Sequence, residues 1–214
     1  MAPFDKLLNI MLRPWVAGSY VGFIVLSFFY FDKPLAYYFH GLNLNTAFPL
    51  LHWVTCLGVG LIYMSAFLVL ALFFRYIYRN KTWETRSWFL WLCVLLPNLI
   101  TLFFKIMLGR ARPELLFDDH LYGFYGLHSN RLYWSFPSGH TTTIVGLFLG
   151  LGLVFPRYFY GCLLSGLLIM STRVLLTNHY LSDVVATSYL VLLEIGLLLL
   201  CLRRKQWLII QPYS

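Results

Sequence analysis

The chain has 214 residues, of which 60% are hydrophobic, 19% aromatic and only 11% charged, with a formal net charge of +8. A soluble domain is about 45–50% apolar and about 25% charged, and one of this size could not hide so much apolar surface in a single core. Disordered chains are polar and poor in aromatics, and a nucleic-acid binder would gather its basic charge on one face of a polar domain, so the composition is that of an integral membrane protein.

Six apolar segments approach the roughly 17–25 residues that a bilayer-spanning helix needs. They cover 15–31, 50–74, 87–107, 141–155 (lengthened at its start by 138–140), 158–176 and 183–202. The runs are continuous and Leu-rich rather than alternating, which predicts helices and not a barrel. Lys6 and Arg13 precede the first, and Asp32-Lys33-Pro34 after it is no small-x-small cleavage site, so an uncleaved anchor is expected. The fold class that follows is an all-α membrane protein, one domain over 1–214, built as a six-helix transmembrane bundle. The four cysteines, Cys56, Cys93, Cys162 and Cys201, lie inside apolar runs without zinc or redox spacing, as small packed residues do.

Six crossings put Lys6, Arg13, Arg75, Arg79, Lys81, Arg86, Arg157, Arg203, Arg204 and Lys205 on one side. Basic residues concentrate on the cytoplasmic side, so both termini are expected there. The Asn80-Lys81-Thr82 sequon then falls in the cytoplasm and stays silent. Lys33, Lys105, Arg110, Arg112, Arg131 and Arg173 face outward and call for another explanation. About 30 residues separate Leu108 from Pro137, longer than most loops of a compact domain. Phe117, Tyr122, Phe124, Tyr125, Tyr133, Trp134 and Phe136 make this an outward interfacial loop between helices 3 and 4, lying in the headgroup layer.

Three clusters meet on the outward face. Lys105 and Arg112 are seven apart, hence on one helical face two turns apart, with Pro113 turning the chain. Pro137-Ser138-Gly139-His140 opens the fourth helix, where free amides and the positive dipole end favour an anion and His140 can exchange a proton with it. Arg173 closes the fifth helix, and an Arg near the membrane interior is paired or functional. His179 and Asp183, four apart, are helical neighbours in which a carboxylate can orient an imidazole and support its positive charge. Two guanidinium forks and an ammonium around helix amides suit a doubly charged tetrahedral oxyanion, and phosphate is the obvious one.

The constellation resembles the type 2 phosphatidic acid phosphatase superfamily, whose signature is K-x6-R-P, P-S-G-H and S-R-x5-H-x3-D. The chain carries Lys105-x6-Arg112-Pro113, Pro137-Ser138-Gly139-His140 and Thr172-Arg173-x5-His179-x3-Asp183, departing only in Thr172, which keeps a hydroxyl. At residue frequencies of about 5%, the joint pattern arises by chance on the order of once in a million such chains. The resemblance implies a lipid phosphatase in which His179 attacks phosphorus, Asp183 supports it and His140 protonates the leaving oxygen and then activates water. It assigns Lys105, Arg112, Ser138, Gly139 and Arg173 to the phosphate oxygens, with no metal and no cofactor. The expected partners are a lipid phosphate and the bilayer, with no nucleic acid. Undecaprenyl diphosphate, phosphatidylglycerophosphate, phosphatidic acid and lipid A phosphate all present the required terminal group.

A transporter would place its polar residues along a mid-membrane path, and a vanadate-dependent haloperoxidase of the same superfamily is soluble. An inactive lipid-phosphate-binding protein would need the cations but not His140, His179 and Asp183 together. His52, His120 and His128 match no motif and read as interfacial. Asp118 and Asp119 read as lid or headgroup contacts, and Glu194 as one end of an interhelical hydrogen bond. The compact tails suggest a bacterial inner-membrane protein with its site facing the periplasm.

Overall fold

The computed structural model describes residues 2–204; Lys205, counted above with the cytoplasmic basic residues, lies outside them. Among the described residues the regular structure is helical, with one isolated antiparallel bridge between Arg110 and Phe124. A short helix α1 (Pro3–Met11) precedes α2 (Pro14–Leu26), which passes through a π-helical turn (Ser27–Phe31) into α3 (Asp32–Leu42). Then come α4 (Leu44–Ala47), α5 (Pro49–Cys56), α6 (Gly60–Tyr76), α7 (Lys81–Leu108) and α8 (Pro113–Asp118). The last three are α9 (Gly139–Val154), α10 (Phe159–Leu175) and α11 (Leu181–Arg204).

Among the described residues, four helices are long and apolar enough to cross a membrane: Pro14–Leu42, Lys81–Leu108, Pro156–Leu175 and Leu181–Arg204. A fifth crossing counts only if α5 and α6, bent by 41° at residues 57–59, act as one. With 16 residues, α9 is about 24 Å long, short of the roughly 30 Å hydrocarbon layer. Among the described residues, length and composition thus support four or five of the six expected spans. The shortfall falls on the helix with the least need of lipid contact, since α9 packs against α7, α10 and α11.

The first segment also runs past its expected end at Phe31. Pro34 lacks an N–H and its ring would press on the carbonyl one turn back, and the π-helical turn just ahead widens the helix there. The helix thus continues to Leu42, and Asp32, instead of marking a connection, is 1% exposed inside the protein.

Small residues let the central helices approach closely, as membrane helices do without a hydrophobic drive between them. A Cβ on Gly146 would lie 2.4 Å from the Cys93 carbonyl oxygen, and one on Gly152 2.7 Å from the Phe159 ring. Polar seams accompany the close contact: Thr101 and Thr142 hydroxyls are 2.8 Å apart, and Asn98 donates to Thr143 at 3.2 Å. At one end of the bundle Phe4 packs edge-on against Phe159, Trp83 meets Phe155, and Arg203 forms a two-point ion pair with Asp5. These contacts gather the N-terminal helix, the α6–α7 turn, the α9–α10 turn and the end of α11, four parts that the basic-residue count assigned to one side. Glu194 lacks the expected bond at one oxygen: its Oε2 is buried with no partner among the described residues.

Gly146→Ala should destabilise the protein by about 1–3 kcal/mol, because the methyl meets backbone that cannot move aside. Gly161→Ala, in α10 with nothing within 4 Å of the added Cβ, should be neutral or stabilising by about 0.5–1 kcal/mol. Thermal unfolding in detergent compares the two.

Candidate active site

The segment between α7 and α9 is not a structureless lid. Residues 106–112 are tied by main-chain hydrogen bonds to 123–128 and 132–135. His128 donates to the Ile106 carbonyl (3.1 Å), Tyr125 to that of Gly109 (3.0 Å) and Ala111 to that of Gly123 (3.0 Å). Arg112 donates to Leu132 (2.9 Å) and Ser135 to Arg110 (3.0 Å). Gly109 makes the turn possible: its φ is +55°, and a Cβ there would fall 1.9 Å from the Gly126 carbonyl oxygen. Of the aromatic rings expected at the headgroup layer, Phe124 and Tyr125 are exposed, and Phe117, Tyr122, Tyr133, Trp134 and Phe136 are half-buried. Phe28, Phe124 and Tyr180 surround the Arg110 guanidinium at 4.9, 5.3 and 4.8 Å, and Trp134 donates to the His128 carbonyl at 2.8 Å.

His179 is 3% exposed, in the turn between α10 and α11. Its Nδ1 lies 2.7 Å from the Ser135 carbonyl oxygen and 3.8 Å from Asp183 Oδ2. A carbonyl only accepts, so Nδ1 carries the proton and donates it to Ser135, and the lone pair is left on Nε2. Burial, then the charges of Arg173 and Arg112, push this imidazole down to about 3 against the opposing pull of Asp183. It is therefore neutral at pH 7, as a nucleophile must be.

Asp183 does not hold the imidazole by a direct hydrogen bond. Its Oδ1 accepts from Arg110 Nη1 (2.5 Å), and its Oδ2 from Ser135 Oγ (2.6 Å) and the Tyr180 amide (3.0 Å). Its hold on His179 runs through Ser135, which gives a hydroxyl to Asp183 and a carbonyl to His179. Burial disfavours the charged form of Arg110, yet Asp183 and Asp32 outweigh it and raise the guanidinium above its ordinary range.

His140, in the first turn of α9, lies in the field of Arg173, Lys105 and Arg112. Its ring is backed by Gly58 in the α5–α6 bend, where a Cβ would come within 2.6 Å of its Cδ2. Lys105 ends α7 against the start of α9, its Nζ 3.4 Å from where a Gly139 Cβ would stand. Arg173 Nη1 donates to Thr55 Oγ1 at 2.7 Å. The Nε atoms of Arg112 and Arg173 are buried with no partner among the described residues, so both retain donors for an anion. Ser138 caps α9: its Oγ accepts from the Thr141 hydroxyl (3.0 Å), and its amide donates to Thr187 (2.9 Å). The next amides, of Gly139 and His140, are those a helix start leaves without an internal partner.

The eight residues singled out in the sequence thus lie at the facing ends of α7, α9, α10 and α11. Sequence reasoning missed Thr55 and Gly58, which the bend brings in, and Ser135, Asp32 and the inward use of Arg110. Only Arg110 carried a signal, as an outward cation without an assigned role. Asp118 lines a polar cleft with Glu114, His40 and Asn178, beside the turn that carries His179. This arrangement can receive a tetrahedral anion among cations and amides, present a neutral nitrogen to its centre, and place a second imidazole near it.

The family model described as the PAP2 superfamily matches residues 86–207. Two similar proteins are the lipid A 1-phosphatases of Rhizobium johnstonii and Rhizobium etli, each 35% identical over 103 residues, which is 47% of this chain. The aligned stretch covers 42% and 44% of those two proteins, so the chain spans less than half their length. No solved structure matches at a significant level.

Thr55→Val removes the hydroxyl that holds Arg173. It should weaken binding of inorganic phosphate about tenfold to a hundredfold, the worth of one hydrogen bond to a charged group. Equilibrium dialysis with radiolabelled phosphate measures it, and thermal unfolding should show little change.

Proposed function

Because the chain belongs to the PAP2 superfamily, we propose that it is a membrane lipid phosphatase working through a phosphohistidine on His179. One observation carries the reading: Ser135 holds the Nδ1 proton of a buried, neutral His179, which leaves Nε2 as the free nitrogen among Arg112 and Arg173.

The terminal phosphate of the lipid sits among Lys105, Arg112, Arg173 and the amides of Gly139 and His140, with Ser138 setting the cap that aims those amides. The negative phosphate favours a protonated His140 beside it. Nε2 attacks phosphorus in line, the N–P bond forms and the P–O bond to the lipid breaks. The lipid oxygen leaves with a proton from His140. The imidazole becomes cationic in this step, and the carboxylate of Asp183 stabilises it. His140, now neutral, takes a proton from water, whose oxygen attacks phosphorus. The P–N bond breaks, inorganic phosphate leaves and His179 is neutral again. Cations and amides carry the charge that builds on the non-bridging oxygens, so no metal enters the scheme.

Relatives named lipid A 1-phosphatase make a lipid A phosphate the first substrate to test. Undecaprenyl diphosphate, phosphatidylglycerophosphate and phosphatidic acid follow. The bacterial sources of those relatives fit a bacterial inner-membrane location, and the basic-residue distribution supports a site on the face away from the cytoplasm.

Detergent-purified protein should release phosphate from at least one of these lipids, with the rate unchanged in excess EDTA and inhibited by vanadate. His179→Ala should lose about a thousandfold or more in kcat and trap no phosphoenzyme. His140→Ala should lose about 10²–10⁴-fold, and less on a nitrophenyl phosphate, whose leaving group needs little protonation. Asp183→Asn should also be severely impaired. Acid-quench trapping with radiolabelled substrate checks the roles: label on His179→Ala but never on His140→Ala reverses them. A requirement for added Mg2+ removes the cation-cradle mechanism.

A further inference from the structure

We propose that Asp32, in the first long helix and outside the stretch matched by the family, is an electrostatic positioning residue for the nucleophile. It takes one arm of Arg110 and so leaves the Asp183 carboxylate its negative charge. The inference rests on the reading of His179 as nucleophile.

Arg110 is 2% exposed and joins two carboxylates that are equally buried. Its Nη1 serves Asp183 Oδ1 and Ser182 Oγ (2.5 and 2.8 Å), and its Nη2 serves Asp32 Oδ2 (2.7 Å). Asp32 is saturated: Oδ1 accepts from the Ser182 amide at 2.9 Å. Its Oδ2 also accepts from the Ser182 hydroxyl and lies 3.1 Å from the Tyr122 hydroxyl. Asp32 has no printed bond to the phosphate cradle, yet its partner Arg110 also bonds Asp183, and its partner Ser182 is the residue before Asp183.

Charge is what Asp32 adds. A pair of Arg110 and Asp183 alone is neutral, and at 2.5 Å the guanidinium would cancel most of the field that Asp183 exerts on an imidazole 3.8 Å away. That field matters when the imidazole turns cationic during attack. A second carboxylate on the other side of the guanidinium gives the group of three a net charge of −1. The buried position keeps water from screening it. A purely structural ion pair would have no use for the third ion, whose desolvation costs several kcal/mol. Arg110 meanwhile holds the geometry, since its carbonyl accepts from the amide of Ser135, the residue that orients His179.

Asp32→Asn keeps the shape and the acceptor for Ser182, and leaves Arg110 paired with Asp183, so the variant should fold. Two measurements on the purified full chain test the role. In turnover of the lipid that the wild type cleaves, kcat should fall at least tenfold with KM within twofold of wild type. In anion binding, vanadate, whose vanadium can take the nucleophile as a fifth ligand, should bind at least tenfold more weakly, while inorganic phosphate, which cannot, stays within twofold. The double variant Asp32→Asn with Arg110→Gln restores the −1 charge through Asp183 and should bind vanadate more tightly than Asp32→Asn. Unchanged vanadate affinity and kcat in Asp32→Asn overturn the proposal. So does a parallel loss of both anions, which would mean that Asp32 supports only the fold of the site. A wild type that binds vanadate but cleaves no lipid overturns the phosphatase reading instead, and the vanadate comparison still decides the role of Asp32. A wild type that binds neither anion overturns both.

Discussion

Placing a guanidinium in a membrane protein's interior costs several kcal/mol of desolvation, which close pairing must offset. Arg110 has both terminal nitrogens engaged by Asp32, Asp183 and Ser182, with aromatic rings around the planar group. Its partners come from distant parts of the chain. Asp32 belongs to the first long helix, Ser182 and Asp183 to the last, and Ser135 is held by the Arg110 main chain. Removing one partner would leave a buried charge less well paired, so the group ties these elements together. His179 stands on that assembly, since Ser135 links Asp183 to it.

Around this anchor the bundle solves a conflict between membrane and chemistry. A phosphate site needs cations and amides, whereas the bilayer favours apolar helices with every backbone group satisfied. The chain confines the polar groups to helix ends: Lys105 ends α7, Ser138 caps α9, Arg173 ends α10 and Asp183 begins α11. The bend between α5 and α6 supplies the remaining wall, with Thr55 against Arg173 and Gly58 against His140. A straight helix over 50–74 would lack the turn that presents these two residues together. The irregular segment after α7 closes the group with main-chain hydrogen bonds, which keep its backbone satisfied while it carries Arg110, Arg112 and Ser135.

The role of Asp183 shows how geometry refines a pattern. Four-residue spacing on a helix makes His179 and Asp183 neighbours, and neighbours of opposite charge suggest a direct bond. His179, however, lies in the turn before α11, where its ring meets a carbonyl from a segment 44 residues away. Asp183 then acts through a hydroxyl and through its charge. Tautomer choice therefore rests on Ser135, a residue outside all three motifs.

Composition and hydropathy by themselves determined that the chain is a helical membrane protein, because no soluble core could absorb so many apolar residues. Spacing and residue type singled out the candidate site residues, since Lys, Arg and His beside a helix start suit an oxyanion. Those features are local, and local patterns are written in consecutive residues. The tertiary structure alone decided the continuation of the first helix past Phe31, the bend after Cys56, the shortness of α9 and the inward turn of Asp32. Each depends on what a segment packs against, and a polar residue in an apolar run reads the same whether it meets water, lipid or a buried guanidinium. Asp32 and Arg110 are 78 residues apart, and only the folded chain brings the two charges within reach.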